Sequence, residues 1–167
     1  MDNQNPYHLA VSVGELLLNR HKELCLAESC TGGLVGHLIT NVPGSSEYFL
    51  GGILAYSNQA KQDLLQVKQS TLLNHGAVSQ ETALEMAAGV CRLFSGQCPL
   101  DQLVGLSVTG IAGPGGGTVE KPVGLVWIGL SWSGGSFTWQ HLWQGHREDN
   151  KWYSAQAALQ HLIDTFG

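Results

Sequence analysis

Apolar positions along the chain follow two periods, and the changes between them mark out the elements. Leu9, Val13, Leu16 and Leu17 recur at helical spacing and stop near Asn19–His21. Leu24-Cys25-Leu26-Ala27 is a short apolar run ahead of a Gly-rich turn, which predicts a buried strand. Thr31-Gly32-Gly33 opens a second helical pattern through Leu34, Val35, Leu38 and Ile39, closed by Pro43-Gly44. Tyr48 to Tyr56 predicts another strand, with a bulge or close approach at Gly51-Gly52. Polar residues 57–61 lead into a helix carrying Leu64, Leu65 and Val67; a further helix runs from about Gln80 to Phe94 with Ser79 as its N-cap. Leu103–Val108 reads as a strand that empties into the glycine loop Gly110–Gly117. Val123–Trp132 and Phe137–Trp143 are strands joined by Ser133-Gly134-Gly135, a hairpin signal. From about Asp149 to Phe166, Trp152, Ala155, Leu159, Leu162 and Ile163 share one helical face.

Strands alternating with helices, followed by a hairpin, predict an α/β sandwich on a mixed sheet. No repeat, linker or low-complexity tract divides the 167 residues, so residues 1–167 read as a single domain. Charged residues are 13% of the chain, about half the usual ~25%, and no Lys/Arg cluster occurs, which argues against a nucleic-acid surface. No apolar run approaches the ~18 residues of a membrane span, and the N-terminus lacks a basic or apolar leader pattern. A cytoplasmic setting is therefore expected, with Cys25, Cys30, Cys91 and Cys98 reduced and mostly buried. Histidine spacing offers no zinc motif, and no metal is expected. Trp139 and Trp143 on one face of the hairpin suggest a surface for a homodimer.

Chemistry in open α/β sheets gathers beyond the carboxyl ends of strands, and two segments fit that rule. In residues 27–33, the Ser29 hydroxyl and the Cys30 thiol lie where a strand turns into a helix start. Free backbone N–H groups there can hold an oxyanion or a phosphate, and Gly32-Gly33 admits a ligand close to the backbone. The plainer alternative makes Ser29 or Thr31 a helix cap. Cys30 is the rival nucleophile, because the field of a helix start lowers a thiol's pKa. His37 lies too far along the helix to serve Ser29.

The glycine loop matches neither a Rossmann fingerprint nor a Walker loop, and reads as a segment that lines a site or as a plain surface loop. Tyr56, Asn58 and Lys61 follow the second strand. Lys61 is a general base if burial lowers its pKa, and otherwise a phosphate-pairing ammonium or an exposed lysine. Arg147 either pairs with Glu148 or Asp149 or grips a substrate anion.

Taken together, AESCTGG (27–33), VPGSS (42–46), YSNQAK (56–61), GAVS (76–79), VTGIAGPGGG (108–117), PVG (122–124) and GHR (145–147) resemble a known family. It is that of the nicotinamide-nucleotide amidohydrolases, the stand-alone form of the C-terminal domain of the competence/damage-inducible protein CinA. The resemblance implies a three-layer α/β/α sandwich with a mixed, mainly parallel sheet. It implies hydrolysis of the carboxamide of nicotinamide mononucleotide to nicotinic acid mononucleotide and ammonia, without metal or organic cofactor. Ser29 matches the nucleophile, Lys61 its basic partner, and Tyr56 the aromatic hydroxyl nearby. Thr109 matches the Thr before the glycine loop, and Arg147 the arginine of the Gly-x-Arg segment. The substrate-binding set implied is Cys30, Thr31, Gly32, Gly33, Asn58, Thr109, Gly110, Gly113 and Arg147. A binding domain that kept the fold without the chemistry is the alternative from another class.

Overall fold

A computed structural model describes residues 5–167. Its elements are α1 (Pro6–Asn19), β1 (Glu23–Glu28), α2 (Leu34–Thr40), β2 (Phe49–Leu54), α3 (Asn58–Leu65), α4 (Gln69–His75), α5 (Gln80–Phe94), β3 (Leu103–Gly110), β4 (Leu125–Trp132), β5 (Gly135–Leu142) and α6 (Arg147–Phe166). The five strands form one mixed sheet in the order β2-β1-β3-β4-β5. β1 runs parallel to both β2 and β3, whereas β4 pairs antiparallel with β3 and with β5. The two central strands β1 and β3 are buried almost throughout, as runs covered on both faces must be.

Helices cover both faces. α1, α2 and α6 bury Val13, Leu17, Val35, Ile39, Leu159 and Leu162 against Leu24, Leu26, Leu106 and Ile128. On the other face, Leu65 of α3 and Met86 and Val90 of α5 meet Cys25, Ala27 and Leu103. The α3–α5 crossing is close: a Cβ at Gly89 would collide with the Leu65 carbonyl oxygen. The result is the expected α/β/α sandwich, and none of its helices among the described residues is long and apolar enough to cross a membrane.

Several boundaries differ from expectation. The close approach expected at Gly51-Gly52 is present, a Cβ at Gly52 lying 3.1 Å from Leu26 Cβ. The bulge itself falls between Phe49 and Gly51, which pair with the consecutive residues Leu24 and Cys25. The helix expected to run through Val67 stops at Leu65, where Gln66 turns left-handed at φ 57°, and a separate helix α4 follows. Helix α2 begins at Leu34 rather than at Thr31; residues 31–33 are a turn. The Trp139–Trp143 face packs in part against α6, which leaves both rings half-buried. Trp139 stacks on His161 at 4.1 Å, and Trp143 donates to Ser154 Oγ at 3.0 Å.

Candidate active site

Three neighbouring parallel strands end on the same side of the sheet, and their carboxyl ends deliver the candidate residues. β1 ends at Glu28, so Ser29 and Cys30 occupy the first turn beyond it. β2 ends at Leu54, and Ala55 and Tyr56 lead into α3, capped when Ser57 Oγ accepts from the Ala60 N–H. That cap places Lys61 on the first full turn of α3, facing inward beneath the strand end. Ser29, Cys30, Tyr56, Asn58, Lys61, Thr109, Gly110, Gly113 and Arg147 all line one cleft of about 260 Å³. Ala77, Val78, Ile111, Ala112, Gly115 and Gly116 complete its walls.

Lys61 is the most unusual group in this cleft. Its side chain is 1% exposed, and its Nζ lies 3.0 Å from Ser29 Oγ and 2.8 Å from the Ala55 carbonyl oxygen. Carboxylates are absent from its hydrogen-bond partners. Burial pushes its pKa below the ordinary lysine value, because desolvation penalises the ammonium by more than the neighbouring Cys30 sulfur favours it. Held by one N–H on the Ala55 carbonyl, this amine can turn a lone pair to the Ser29 hydroxyl once it has lost a proton. The exposed-lysine reading of Lys61 fails on this geometry.

Cys30 has the opposite character. Burial, with Glu28 nearby, pushes its thiol up to about 12, so it stays protonated and is a poor nucleophile. The helix-start field does not win at this thiol, because a carboxylate already occupies the start of α2. Glu28 Oε2 accepts from the N–H groups of Gly33 and Val35 at 3.0 and 3.1 Å, and Oε1 from Gly36 at 2.8 Å. Neither Ser29 nor Thr31 caps the helix: its N-cap is Gly33, at φ 94°, and the Thr31 hydroxyl finds no partner. Thr31, Gly32 and Gly33 do not line the cleft, and their turn shapes the backbone behind Ser29. Among the described residues no backbone oxygen accepts from the N–H groups of Cys30 and Thr31, which face the Cys30 sulfur.

The mouth is bridged from above. Arg147, the first residue of α6, donates to the Gly113 carbonyl and, at 2.9 Å, to the Tyr56 hydroxyl. It pairs with neither Glu148 nor Asp149; Asp149 instead accepts from the His146 N–H. Tyr56 is 63% exposed and its hydroxyl meets Arg147 rather than Ser29 or Lys61. Thr109 Oγ1 donates to the Ala77 carbonyl at 2.7 Å, tying the end of β3 to the 76–79 turn. His37 lies exposed on α2 against Asn41, away from Ser29.

Two working residues escaped the sequence reading. Glu28 is the buried carboxylate that ends β1, and nothing local in the sequence marks its reach forward to α2. Buried Asn150 donates to the Ala112 carbonyl and accepts from the Gly145 N–H, fastening the glycine loop to α6; one polar residue on a mostly apolar helix face gives little warning of that.

These features define a class of protein: an α/β/α domain in which a strand-end serine faces a buried lysine amine inside a small cleft. The chain belongs to the CinA C-terminal domain family, whose profile matches residues 7–166. It is 47% identical over 152 residues to a CinA-like protein of Amoebophilus asiaticus, covering 91% of this chain and 34% of that relative. The chain spans about a third of the length of the curated relatives it matches. Among solved structures, the competence/damage inducible protein CihA of Agrobacterium tumefaciens aligns with TM-score 0.87 and 35% identity over 95% of this chain and 94% of that one. A CinA superfamily protein of Klebsiella pneumoniae aligns with TM-score 0.90 and 30% identity over 98% of both chains.

Proposed function

We propose that this chain is an amidohydrolase that cleaves the carboxamide of nicotinamide mononucleotide, releasing nicotinic acid mononucleotide and ammonia. The observation that carries the proposal is the 3.0 Å contact between Ser29 Oγ and the buried amine of Lys61. An amide is a weak electrophile with a poor leaving group, so its cleavage needs an activated nucleophile, an oxyanion site and a proton donor. Lys61 supplies the first and third. Its neutral amine takes the Ser29 proton as Oγ attacks the carboxamide carbon, then gives that proton to the departing ammonia. The oxyanion would be received by the Cys30 N–H, immediately beyond the nucleophile and at the cleft wall. Water then attacks the acyl-enzyme with Lys61 again as base, freeing the carboxylate and restoring Ser29.

The remaining residues bind. Glu28 fills the α2 helix start, so that start is closed to a substrate phosphate, and Arg147 is the cation placed to take it. Tyr56 holds that guanidinium at the mouth, while Asn58, Thr109, Gly110 and Gly113 bound the space for the ring and ribose. No metal or cofactor enters the scheme. A nucleotide substrate fits a cytoplasmic setting, and assembly as a homo-oligomer remains part of the proposal.

The test is ammonia release from nicotinamide mononucleotide by the purified chain and by Ser29→Ala. Turnover by the parent, a drop of about 10³-fold or more in the variant, and an unchanged melting temperature are expected. A folded parent that releases no ammonia refutes the reading. Because the Lys61 amine is depressed, kcat/KM should rise with pH through its folded pKa and level off above it.

A further inference from the structure

Three of the four cysteines lie away from the cleft, where α5 crosses β1 and β3. Cys25 pairs with Gly105 in the parallel β1–β3 register. The place a Cβ would take at Gly105 is only 2.6 Å from Cys91 Sγ. The bare backbone at Gly105 thus lets the α5 thiol drop onto the sheet beside Cys25.

Their surroundings differ in a useful way. Cys25 has no solvent exposure, and its Sγ lies 3.4 Å from the Val104 carbonyl oxygen. Cys91 is half-buried, with Sγ 3.5 Å from the Ser131 carbonyl oxygen, and lines a cavity of about 470 Å³ beside Arg92 and Trp132. The neighbouring Cys91 thiol and burial push Cys25 up; the neighbouring Cys25, with help from the Gly105 N–H and Arg92, holds Cys91 down against its own burial. A reachable thiol with thiolate character, backed by a buried second thiol, is the disposition of a two-cysteine redox site.

We propose that Cys91 and Cys25 form a reversible dithiol–disulfide couple that reacts with hydroperoxides, independently of the Ser29 cleft. The Cys91 thiolate attacks the peroxide; an S–O bond forms, the O–O bond breaks, and hydroxide leaves to become water. The Cys25 sulfur then attacks the sulfenic sulfur of Cys91. An S–S bond forms, the S–O bond breaks, and the hydroxyl departs as water with the Cys25 proton. Two thiols are oxidised by two electrons while one peroxide is reduced to two waters. An external dithiol returns the pair to its starting state.

The test is peptide mapping of the intact chain after brief treatment with a small excess of hydrogen peroxide, with thiols alkylated under denaturing conditions. Two of the four thiols should become unavailable, joined in one intrachain disulfide between Cys25 and Cys91, and dithiothreitol should restore both. Cys25→Ser should convert the product to a Cys91 sulfenic acid trapped by dimedone, and Cys91→Ser should abolish both products. Cys25→Ala serves in its place if the serine variant does not fold. Four free thiols after treatment, a bridge through Cys98 or Cys30, or a bridge between chains would overturn the proposal.

Discussion

Replacing Glu28 by glutamine tests whether the nucleophile turn is built on a carboxylate-capped helix. The carboxylate accepts three backbone N–H groups, from Gly33, Val35 and Gly36. A glutamine of the same shape can keep its carbonyl on the first two, but its amide N–H₂ then faces the Gly36 N–H, donor against donor. One buried N–H left unpaired costs about 1–3 kcal/mol, and the two retained bonds each lose about 1 kcal/mol when the acceptor is no longer ionised. Losing the charge at the helix start removes about 0.5 kcal/mol more. These losses share one side chain and do not add fully, so about 4 kcal/mol is expected. For a chain of this length that lowers Tm by roughly 12 °C. Urea unfolding followed by circular dichroism gives the free energy, and a Glu28→Asp variant, too short to reach all three donors, should fall between glutamine and the parent. A Glu28→Gln loss below about 1 kcal/mol, with m unchanged, would refute the reasoning.

Other consequences can be measured directly. Lys61→Met removes a buried amine but keeps its aliphatic bulk, so stability should hold or rise slightly while ammonia release falls about 10²–10⁴-fold. Lys61→Arg keeps the charge but cannot act as a base, and turnover retained in it would make Lys61 electrostatic only. Gly89→Ala drives a methyl into the Leu65 carbonyl and should cost about 3 kcal/mol or more by denaturant titration, loosening α3 and the lysine it carries. His161, on α6, faces His141 of β5 at 2.9 Å, with Asp164 on its own helix nearby, and burial lowers it to about 4. His141 is lowered by burial as well. Both are depressed bases, so the unfolded chain binds more protons below its histidine value near 6.5. Their stabilisation is complete above that pH and is lost as pH falls from about 6.5 towards 4. Partial exposure of His161 limits its share to about 1–2 kcal/mol, and His161→Gln should flatten the pH dependence of unfolding across that window.

How far the sequence reaches is clear from particular residues. β1 and β3 were legible because central parallel strands are continuous apolar runs, and α5 because Ser79 opens a strongly amphipathic stretch. Helix α4 was not, since QSTLLNH buries only Thr71 and carries little periodic signal. Ser29 and Lys61 are 32 positions apart, and only the parallel adjacency of β1 and β2 makes them neighbours. The motif resemblance supplied their pairing; the burial of the amine and its place on the Ala55 carbonyl are three-dimensional facts. Glu28 was missed because a cap reaching forward five residues follows no local pattern. The Arg147 bridge joins segments 91 and 34 positions apart, beyond any local signal.

The side-chain amine of residue 61, followed by ¹³C NMR of selectively labelled lysine as pH is raised, bears most directly on everything claimed for the cleft. A titration midpoint well below that of the chain's surface lysines, moving in Ser29→Ala, is the predicted result. A midpoint at or above theirs would leave the serine without a base.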